Sequence, residues 1–311
     1  MNTSDKRLPK IVCVLGPTGS GKNDLALDLR SFFPLEVINF DSRQVYADLP
    51  VVTAQPSEME KKLCPHHLYG FLGLQERISA GKFVEMARQC IAEVTARGSI
   101  PFLVGGTGLY LRSLTYGLAD IPLVPQKITD ELEKQCLQSG VQLLYQSLKL
   151  VDPDYAGKIT GRDRQKIVRA LGVYEASGKP FSIWHKEQSK TPLYDVLKLG
   201  IMKDLNDLEP DLDTRISRMI DAGAVEEVKK AWTDSGYDAE LPAFSGIGCR
   251  EIIDYIQGET DLEQTRKSWL KKTRSYAKRQ LTWFRKEQDI KWLQPGDMNI
   301  GKSLVNHFLE K

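Results

Sequence analysis

The stretch GPTGSGK, from Gly16 to Lys22, constrains the fold more than any other part of this 311-residue chain. It has the pattern G-x-x-x-x-G-K and lies between an apolar run at 10–16, typical of a β-strand, and a segment at 23–33 whose leucines have helical spacing. Glycines let backbone N–H groups converge on an anion, and a helix N-terminus and a lysine add positive potential. The pattern therefore predicts a phosphate-binding loop (P-loop), of the kind found in ATP- and other nucleotide-binding proteins, formed by Gly16, Pro17, Thr18, Gly19, Ser20, Gly21, Lys22 and Asn23.

The rest of the chain continues the alternation of strands and helices. Apolar runs at 35–42 and 100–108 predict two further strands, and the segment 80–98 predicts a helix that ends at a glycine. Strand signals fade after about residue 117 and return at 195–202, with helical patterns between them. Alternating strands and helices imply a parallel sheet with right-handed crossovers. We therefore predict an α/β fold with a P-loop NTPase-like parallel sheet core flanked by helices. The core would comprise residues 1–117 and 193–311, and residues 118–192 would form a mainly helical insertion.

Positive charge is concentrated in two segments, although the net charge of the whole chain is only +2. Residues 266–291 contain ten Lys or Arg and two acidic residues, a net charge of +8, with aromatic residues between them; residues 158–190 contain eight basic and three acidic residues. Each segment alone could be a solvated helix face, but two such segments together with a phosphate loop indicate nucleic-acid binding. We expect Trp283 and Phe284 to be core anchors rather than stacking platforms for bases.

Composition also limits the compartment and the kind of site. No early segment has the pattern of a signal peptide and no run of about 18 apolar residues occurs, so we expect a cytoplasmic protein that does not bind membranes. Five well-separated cysteines without a CxxC pair indicate reduced thiols. His66 and His67 follow Cys64, but no second ligand pair occurs, and we predict no metal site there.

Two polar stretches follow the predicted second and third strands. Asp41 lies in NFDSRQVY, at the carboxyl end of the second strand, where open α/β sheets bind their ligands. Its carboxylate could be a general base, a magnesium ligand through water, or a cap for the residues that follow. Thr107 lies in VGGTGLY after the third strand, where glycines permit close backbone approach; a tight strand-to-helix turn is the simpler alternative.

Seven motifs together resemble the tRNA dimethylallyltransferase family, also called tRNA isopentenyltransferases. They occur in that family's order and span nearly the whole chain: GPTGSGK, DSRQVY, PHHL (65–68), LVGGTGLYL (103–111), DRQKIVRALGVYEASGKPFS (163–182), SGIGCREI (245–252) and TRSYAKRQLTWFR (273–285). The resemblance implies transfer of a dimethylallyl group from dimethylallyl diphosphate to N6 of adenine 37, beside the anticodon, in tRNAs that read codons beginning with U.

The resemblance also assigns roles to individual residues. Lys22 and the loop amides would hold the diphosphate, and Thr18 would lie near its leaving oxygen. Asp41 would accept the proton from N6, and Arg215, rather than Arg218 one turn further on, would clamp the diphosphate. Because the adenine must leave its stack to react, the 118–192 insertion would grip the tRNA anticodon stem-loop. The tRNA-binding residues implied in this way are Asp41, Ser42, Arg43, Gln44, Thr107, Gln165, Lys166, Ile167, Val168, Arg169, Arg274, Lys278 and Arg279.

The sequence departs from the family pattern at three places. Asn23 replaces the usual Thr or Ser, Gln55 stands where a lysine is expected, and Lys127 is the nearest cation to an arginine expected near 125–130. A hydroxyl after the P-loop lysine usually ligates Mg²⁺, whereas Asn23 offers an amide oxygen. We therefore expect Mg²⁺ as the cofactor, near Lys22 and Asn23 and held through the diphosphate, with its protein ligands undetermined.

Two other functions remain open from the sequence. One is prenylation of free AMP, ADP or ATP by an adenylate isopentenyltransferase, although that reaction needs neither the helical insertion nor the TRSYAKRQLTWFR helix. The other is a P-loop small-molecule kinase or an RNA-binding protein without activity. We expect the chain to act as a monomer, because one basic face and one channel suffice for tRNA.

Overall fold

The computed structural model describes residues 8–187 and 191–311, and a parallel sheet lies at its centre. Its strands are β1 (Lys10–Leu15), β2 (Leu35–Asn39), β3 (His66–His67), β4 (Ile100–Gly105), β5 (Asp195–Ile201) and β6 (Ile290–Leu293). They are ordered β3-β2-β4-β1-β5-β6, and every neighbouring pair is parallel. The predicted α/β fold is confirmed. The sequence patterns missed β3 and β6, because strands of two and four residues are too short to show periodicity.

Residues 1–115 and 193–311 form one compact unit, which contains the sheet. Its helices before the insertion are α1 (Lys22–Leu29), α2 (Glu58–Leu63), α3 (Ala80–Ala96) and α4 (Gly108–Tyr116). Those after it are α10 (Leu205–Asp221), α11 (Ala224–Asp234), α12 (Cys249–Ile256), α13 (Leu262–Phe284) and α14 (Met298–Glu310).

The central strand β1 is apolar because both of its faces are covered. Val12 and Val14 pack in one cluster with apolar residues of α1 and α14, whereas Ile11 and Leu15 pack in another with residues of α3 and α4. A parallel strand covered on both faces has a continuous rather than an alternating apolar sequence. The P-loop that follows β1 is therefore held at the carboxyl edge of a rigid sheet.

Helix α13 carries much of the basic 266–291 segment. Its N-terminus has a capping box in which the Asp261 side chain accepts from Gln264 N and the Gln264 side chain accepts from Asp261 N. Trp269 and Phe284 are buried, and Phe284 belongs to the core cluster on the α3 side of the sheet. The expectation for Phe284 is thus confirmed, and α13 is anchored at both ends.

Residues 116–192 form a second compact unit. Its helices are α5 (Gln126–Ser139), α6 (Val141–Val151), α7 (Pro153–Ala156), α8 (Arg164–Ser177) and α9 (Phe181–Glu187), around an apolar core of their own. The side chains of Ile167 and Val168 are buried in that core. These buried side chains hold α8 in place from within the core, and the tRNA contacts expected for the two residues stay a prediction.

Several cations of the basic 158–190 segment have acidic partners. Lys166 pairs with Asp163 and Lys186 with Asp154, each at 2.6 Å, and Arg164 pairs with Glu133. Lys190 lies outside the described residues. Among the helices that are described, none combines the length and the apolar character needed to cross a membrane.

Candidate active site

The P-loop runs from the end of β1 to the start of α1. Gly19 and Gly21 have φ of 79° and 86°, the left-handed region that glycine enters without strain. Lys22 is the first residue of α1, and its Nζ donates a hydrogen bond to the Pro17 carbonyl oxygen at 2.7 Å. No side chain caps α1. Its first backbone N–H groups are therefore suited to an anion, as the sequence predicts.

The charges of Asp41 and Arg215 influence the pKa of the Lys22 ammonium. Burial lowers the pKa of Lys22 to about 8; Asp41 opposes this shift, and Arg215 adds to it. Burial also lowers the pKa of Arg215, opposed by Asp41 and Asp24, although an arginine stays charged at neutral pH. Lys22 of the loop and Arg215 of α10 are thus two neighbouring cations at the N-terminus of α1, an arrangement that favours a polyanionic ligand.

Asp41 follows β2, and the buried side chain of Asn39 fixes its backbone. Asn39 Oδ1 accepts a hydrogen bond from Asp41 N at 2.7 Å, while Asn39 Nδ2 donates to Asp41 O at 3.1 Å and to Leu68 O at 2.8 Å. Asp41 Oδ1 in turn accepts from Arg43 N at 2.9 Å. Within the described residues no hydrogen bond is made to Oδ2 of Asp41. One carboxylate oxygen therefore caps the local turn, and the other can receive a proton.

A polar network joins the loops after β2 and β4. Ser42 N donates to Thr107 Oγ1 at 3.0 Å, and the Thr107 hydroxyl donates to Ser42 Oγ at 3.4 Å, beside Tyr276 of α13. Burial raises the pKa of Tyr276, so its hydroxyl stays protonated at neutral pH. Ser42 follows Asp41 directly in the sequence. Its hydrogen bonds to Thr107 therefore hold the loop after β4 next to Asp41.

Gln280 of α13 joins the P-loop to the loop after β4. Its Oε1 accepts from Thr18 N at 2.8 Å, and its Nε2 donates to Gly106 O at 3.1 Å. Gln280 is only 4% exposed. A buried amide that satisfies one donor and one acceptor on two separate loops fixes both of them.

Two adjoining cavities meet at Thr18, Asp41, Thr53 and Arg215. The larger, about 860 Å³, is the phosphate pocket; it is lined by the P-loop and by polar side chains that include Asp24, Asp211 and Arg218. The smaller, about 190 Å³, is the apolar chamber; its walls include Val52, Leu212, Ile216, Met219, Ile247 and Trp269. The four shared residues separate a polyanion site from an apolar space. A bond that joins a diphosphate to a hydrocarbon group would therefore lie at this boundary between the two cavities.

Most of the predicted site residues are brought together here. Thr18, Lys22, Asp41, Gln44 and Arg215 line the phosphate pocket, and Arg43 and Arg279 line the apolar chamber. Gln165, Lys166 and Arg169 are exposed on α8 of the other compact unit.

Arg274 differs from the other predicted tRNA contacts on α13. Its guanidinium pairs with Glu209 at 2.7 Å and donates to Asn206 at 3.3 Å. Lys278 and Arg279 make no ion pair with any described residue. Arg274 is therefore engaged within the protein, whereas these two neighbours on the same helix are available to a ligand.

Sequence reasoning missed Asn39, Gln280 and Glu227. The Glu227 carboxylate accepts from Val51 N at 2.8 Å and from Val52 N at 2.9 Å, and so fixes a wall of the apolar chamber. Burial raises the pKa of Glu227. Asn39 had a detectable signal, since it is a polar residue inside the apolar run at 35–40, but the partners of Gln280 and Glu227 are distant in sequence.

The residues of the phosphate pocket suit a hard cation only together with a phosphate ligand. The Ser20 hydroxyl is buried there and has no hydrogen-bond partner in the part of the chain that the structure describes, and Asn23, Asp24 and Asp41 add oxygen atoms. Within the described residues, no cluster of three or more His, Cys, Asp or Glu could hold a metal by itself. Mg²⁺ typically takes one or two protein oxygens and completes its shell with phosphate and water. The donor set therefore fits Mg²⁺ bound with a diphosphate.

Comparisons with known proteins agree with this geometry. Residues 44–287 match the family described as IPP transferase. A tRNA dimethylallyltransferase of Maridesulfovibrio salexigens is 49% identical over 98% of this chain and 99% of its own, and that of Oleidesulfovibrio alaskensis is 46% identical over 95% and 97%.

Solved structures are similar over nearly the whole chain. A tRNA isopentenylpyrophosphate transferase of Bacillus halodurans has a TM-score of 0.70 at 30% identity and covers 97% of both chains. A eukaryotic dimethylallyltransferase acting on tRNA has a TM-score of 0.80 at 29% identity, over 96% of this chain and 77% of its own. The family-wide match, the full-length relatives and the shared fold lead to one conclusion: this chain belongs to the IPP transferase family.

Proposed function

We propose that this chain transfers a dimethylallyl group from dimethylallyl diphosphate to N6 of adenine 37 in tRNAs that read codons beginning with U, giving N6-(dimethylallyl)adenosine. The observation that carries the proposal is the position of Thr18, Asp41 and Arg215 between the phosphate pocket and the apolar chamber. The names of the full-length relatives, tRNA dimethylallyltransferases, support the same reaction.

The P-loop side of the site would activate the donor. The bond that breaks joins C1 of the allyl group to the diphosphate oxygen, and its electron pair leaves with the diphosphate. Lys22, Arg215 and the loop N–H groups would stabilise that developing charge, and the Thr18 hydroxyl would act near the leaving oxygen, since Thr18 lines both cavities. Mg²⁺, bound through the diphosphate near Ser20 and Asn23, would neutralise further charge.

The chamber side would hold the acceptor. The N6 lone pair forms the new bond to C1, and the N6 proton passes to the Asp41 carboxylate, whose Oδ2 has no described protein partner. Adenine in a stacked loop cannot reach this depth, so it must be flipped out of the stack. The apolar and aromatic walls of the chamber, including Trp269 and Met219, suit a base and an allyl group.

Recognition of the tRNA would use both compact units. On the sheet-containing unit, Arg43, Lys278 and Arg279 would contact phosphates near the flipped base, and Ser42 and Thr107 the base itself. The helical unit of residues 116–192 would grip the anticodon loop through Gln165, Lys166 and Arg169, which are exposed on α8. One copy of the chain carries every group that this scheme requires, and we therefore propose a monomer as the active form.

The experiment compares the wild type with Asp41→Ala on a tRNA transcript and, separately, on AMP, ADP and ATP. Dimethylallyl diphosphate and Mg²⁺ are supplied, and nucleoside mass spectrometry measures N6-(dimethylallyl)adenosine. We expect product on tRNA alone, and its loss in Asp41→Ala with nearly unchanged tRNA affinity. Asp211→Asn is the matched control, because Asp211 pairs with Lys203 and lines the phosphate pocket but not the apolar chamber. Product on free nucleotides, or weak tRNA binding with normal turnover in Asp41→Ala, would contradict the proposal.

A further inference from the structure

A basic groove lies beside the apolar chamber on the sheet-containing unit. Its volume is about 390 Å³, and its walls include Arg112 from α4 and Lys278, Arg279, Trp283 and Lys286 from α13 and the residues just after it. All five side chains are exposed. The groove therefore combines four cations with one large aromatic ring.

The cations of this groove are free of acidic partners, unlike those nearer the start of α13. Arg266, Lys267 and Lys272 pair with Asp213, Glu263 and Glu251 respectively, as Arg274 pairs with Glu209. Over the described ranges, no such pair involves Arg112, Lys278, Arg279 or Lys286. Glu287, the one acidic residue that lines the groove, pairs with Lys198 at 3.4 Å. The positive charge at this end of α13 is thus uncompensated.

The indole of Trp283 is held in place rather than buried. It is 40% exposed, so the expectation of a core anchor was wrong for this residue. The ring lies against Gly108, where an added Cβ would come within 2.0 Å of Trp283 Nε1. The next residue, Phe284, is fully buried and fixes this end of the helix. A rigid, half-exposed ring between cations suits stacking of a base next to phosphates.

Arg279 connects this groove to the reaction centre. It lines the groove and also the apolar chamber that contains Thr18 and Asp41. Its guanidinium lies 5.5 Å from the ring centroid of Tyr276 and one helical turn before Trp283. A polynucleotide with one base in the chamber would therefore pass over Arg279 into the groove.

We propose that this groove binds an unpaired nucleotide of the tRNA close to the modified adenine. Its base stacks on Trp283, and adjacent phosphates contact Arg112, Lys278, Arg279 and Lys286. This rests on the proposed function for the identity of the RNA. Phosphate contacts without an aromatic platform would give only electrostatic affinity, whereas stacking also selects single-stranded over paired nucleotides.

The test measures tRNA affinity for Trp283→Ala and Trp283→Phe in the full chain. We expect Trp283→Ala to raise the Kd for tRNA about tenfold, in the range measured for loss of one base–aromatic stack, and Trp283→Phe to restore most of the affinity. The KM for dimethylallyl diphosphate should stay unchanged, which a general loss of folding would not allow. An unchanged Kd in Trp283→Ala, or a Phe variant as weak as the Ala variant, would overturn the proposal.

Salt dependence tests the phosphate contacts independently. Lys286→Gln should reduce the slope of log K against log salt by about 0.7 to 0.9, the value for one lost phosphate contact. Lys267→Gln is the matched control on the same helix, because Lys267 is exposed but paired with Glu263 at 2.6 Å. Equal slopes for Lys286→Gln and Lys267→Gln would contradict the groove as an RNA site.

tRNA binding and product formation are measured separately, so that the groove and the proposed function can be contradicted independently. Wild-type protein that binds tRNA with these Trp283 and Lys286 effects but forms no product contradicts the proposed function and supports the groove. Product formation with a tRNA affinity that neither substitution changes contradicts the groove and leaves the function supported.

Discussion

Gln280 Oε1 lies 2.8 Å from Thr18 N, so one hydrogen bond joins the basic helix α13 to the P-loop. The Nε2 of the same side chain lies 3.1 Å from the Gly106 carbonyl oxygen. The helix proposed to bind tRNA is thereby attached to the loop proposed to bind the prenyl donor. A single buried amide sets the position of Thr18 relative to Gly106, in the loop after β4.

Replacing Gln280 by methionine should weaken donor binding and stability together. Methionine fills a similar volume but leaves the N–H of Thr18 and the carbonyl of Gly106 without partners, at a cost of about 1 to 3 kcal/mol for each unsatisfied group. We expect a lower free energy of unfolding in urea and a KM for dimethylallyl diphosphate raised about tenfold.

Gly106→Ala provides an independent route to the same defect. A Cβ at Gly106 would lie 1.9 Å from Gln280 Nε2 and must displace that amide. The two variants should therefore raise the donor KM by similar factors, and their double mutant should be no worse than either one. Additive effects in the double mutant, or a normal donor KM in Gln280→Met, would show that this bond does not position Thr18.

Asn39→Ala should reduce turnover more than it reduces substrate affinity. The substitution removes the hydrogen bonds that hold Asp41 N, Asp41 O and Leu68 O, and so frees the backbone beneath the proposed base. We expect kcat to fall by about 10² or more, since small displacements of a catalytic group are costly. Asn306→Ala, at an exposed position on α14, is the control and should have wild-type kcat. Equal kcat values for the two variants would remove Asn39 from the positioning of Asp41.

The fold and the reaction centre were predictable because their signals are local. The P-loop is contiguous, the strand that precedes it is buried on both faces, and Asp41 lies at the end of the next strand, so each could be located from neighbouring residues. Arg215 required the family resemblance, since nothing near it in sequence marks its place beside the cavities that Asp41 also lines.

The supporting contacts were not predictable, because their partners are far apart in sequence. Gln280 meets Thr18 across 262 residues and Glu227 meets Val51 across 176. Helical spacing likewise placed Arg274, Lys278 and Arg279 in one group, and only the structure shows that Glu209 already holds Arg274. The burial of the Ile167 and Val168 side chains was not predictable either, because a motif records which residues occur together, not which side chains are buried.

The ion pair of Arg274 predicts unequal roles for the three cations of α13 in tRNA binding. Arg279→Gln should weaken tRNA binding. It should also reduce the slope of log K against log salt by about 0.7 to 0.9, the value for one lost phosphate contact. Arg274→Gln should leave the slope nearly unchanged, because its guanidinium is neutralised by Glu209, and should mainly lower stability. Filter binding of tRNA at several salt concentrations measures both. An Arg274→Gln slope as low as that of Arg279→Gln would contradict this division.

The lowered pKa of Lys22 predicts that kcat/KM for dimethylallyl diphosphate has a descending limb at high pH. With a pKa of about 8 in the free protein, its ammonium is charged below that pH and neutral above it, and only the charged form attracts a diphosphate. The kcat/KM for dimethylallyl diphosphate should therefore fall as pH rises through about 8. At saturating donor, kcat should persist to higher pH, because a bound diphosphate raises the pKa of the lysine. Lys22→Arg should remove the limb; a limb that persists in this variant would assign it to another group.

The substitution Asn23→Thr should lower the Mg²⁺ concentration that the protein needs for activity. Threonine would place a hydroxyl at the position where most P-loop proteins ligate the ion, beside the unpartnered Ser20 hydroxyl, in place of a neutral amide. We expect the Mg²⁺ concentration for half-maximal activity to fall several-fold, with little change in kcat at saturating Mg²⁺. Asn23→Ala separates the amide from the hydroxyl, because it offers neither and should need more Mg²⁺ than the wild type if the amide contributes. Titration of Mg²⁺ at fixed donor and tRNA measures all three proteins. An unchanged midpoint in Asn23→Thr would mean that the ion is held by the diphosphate and water alone at this position.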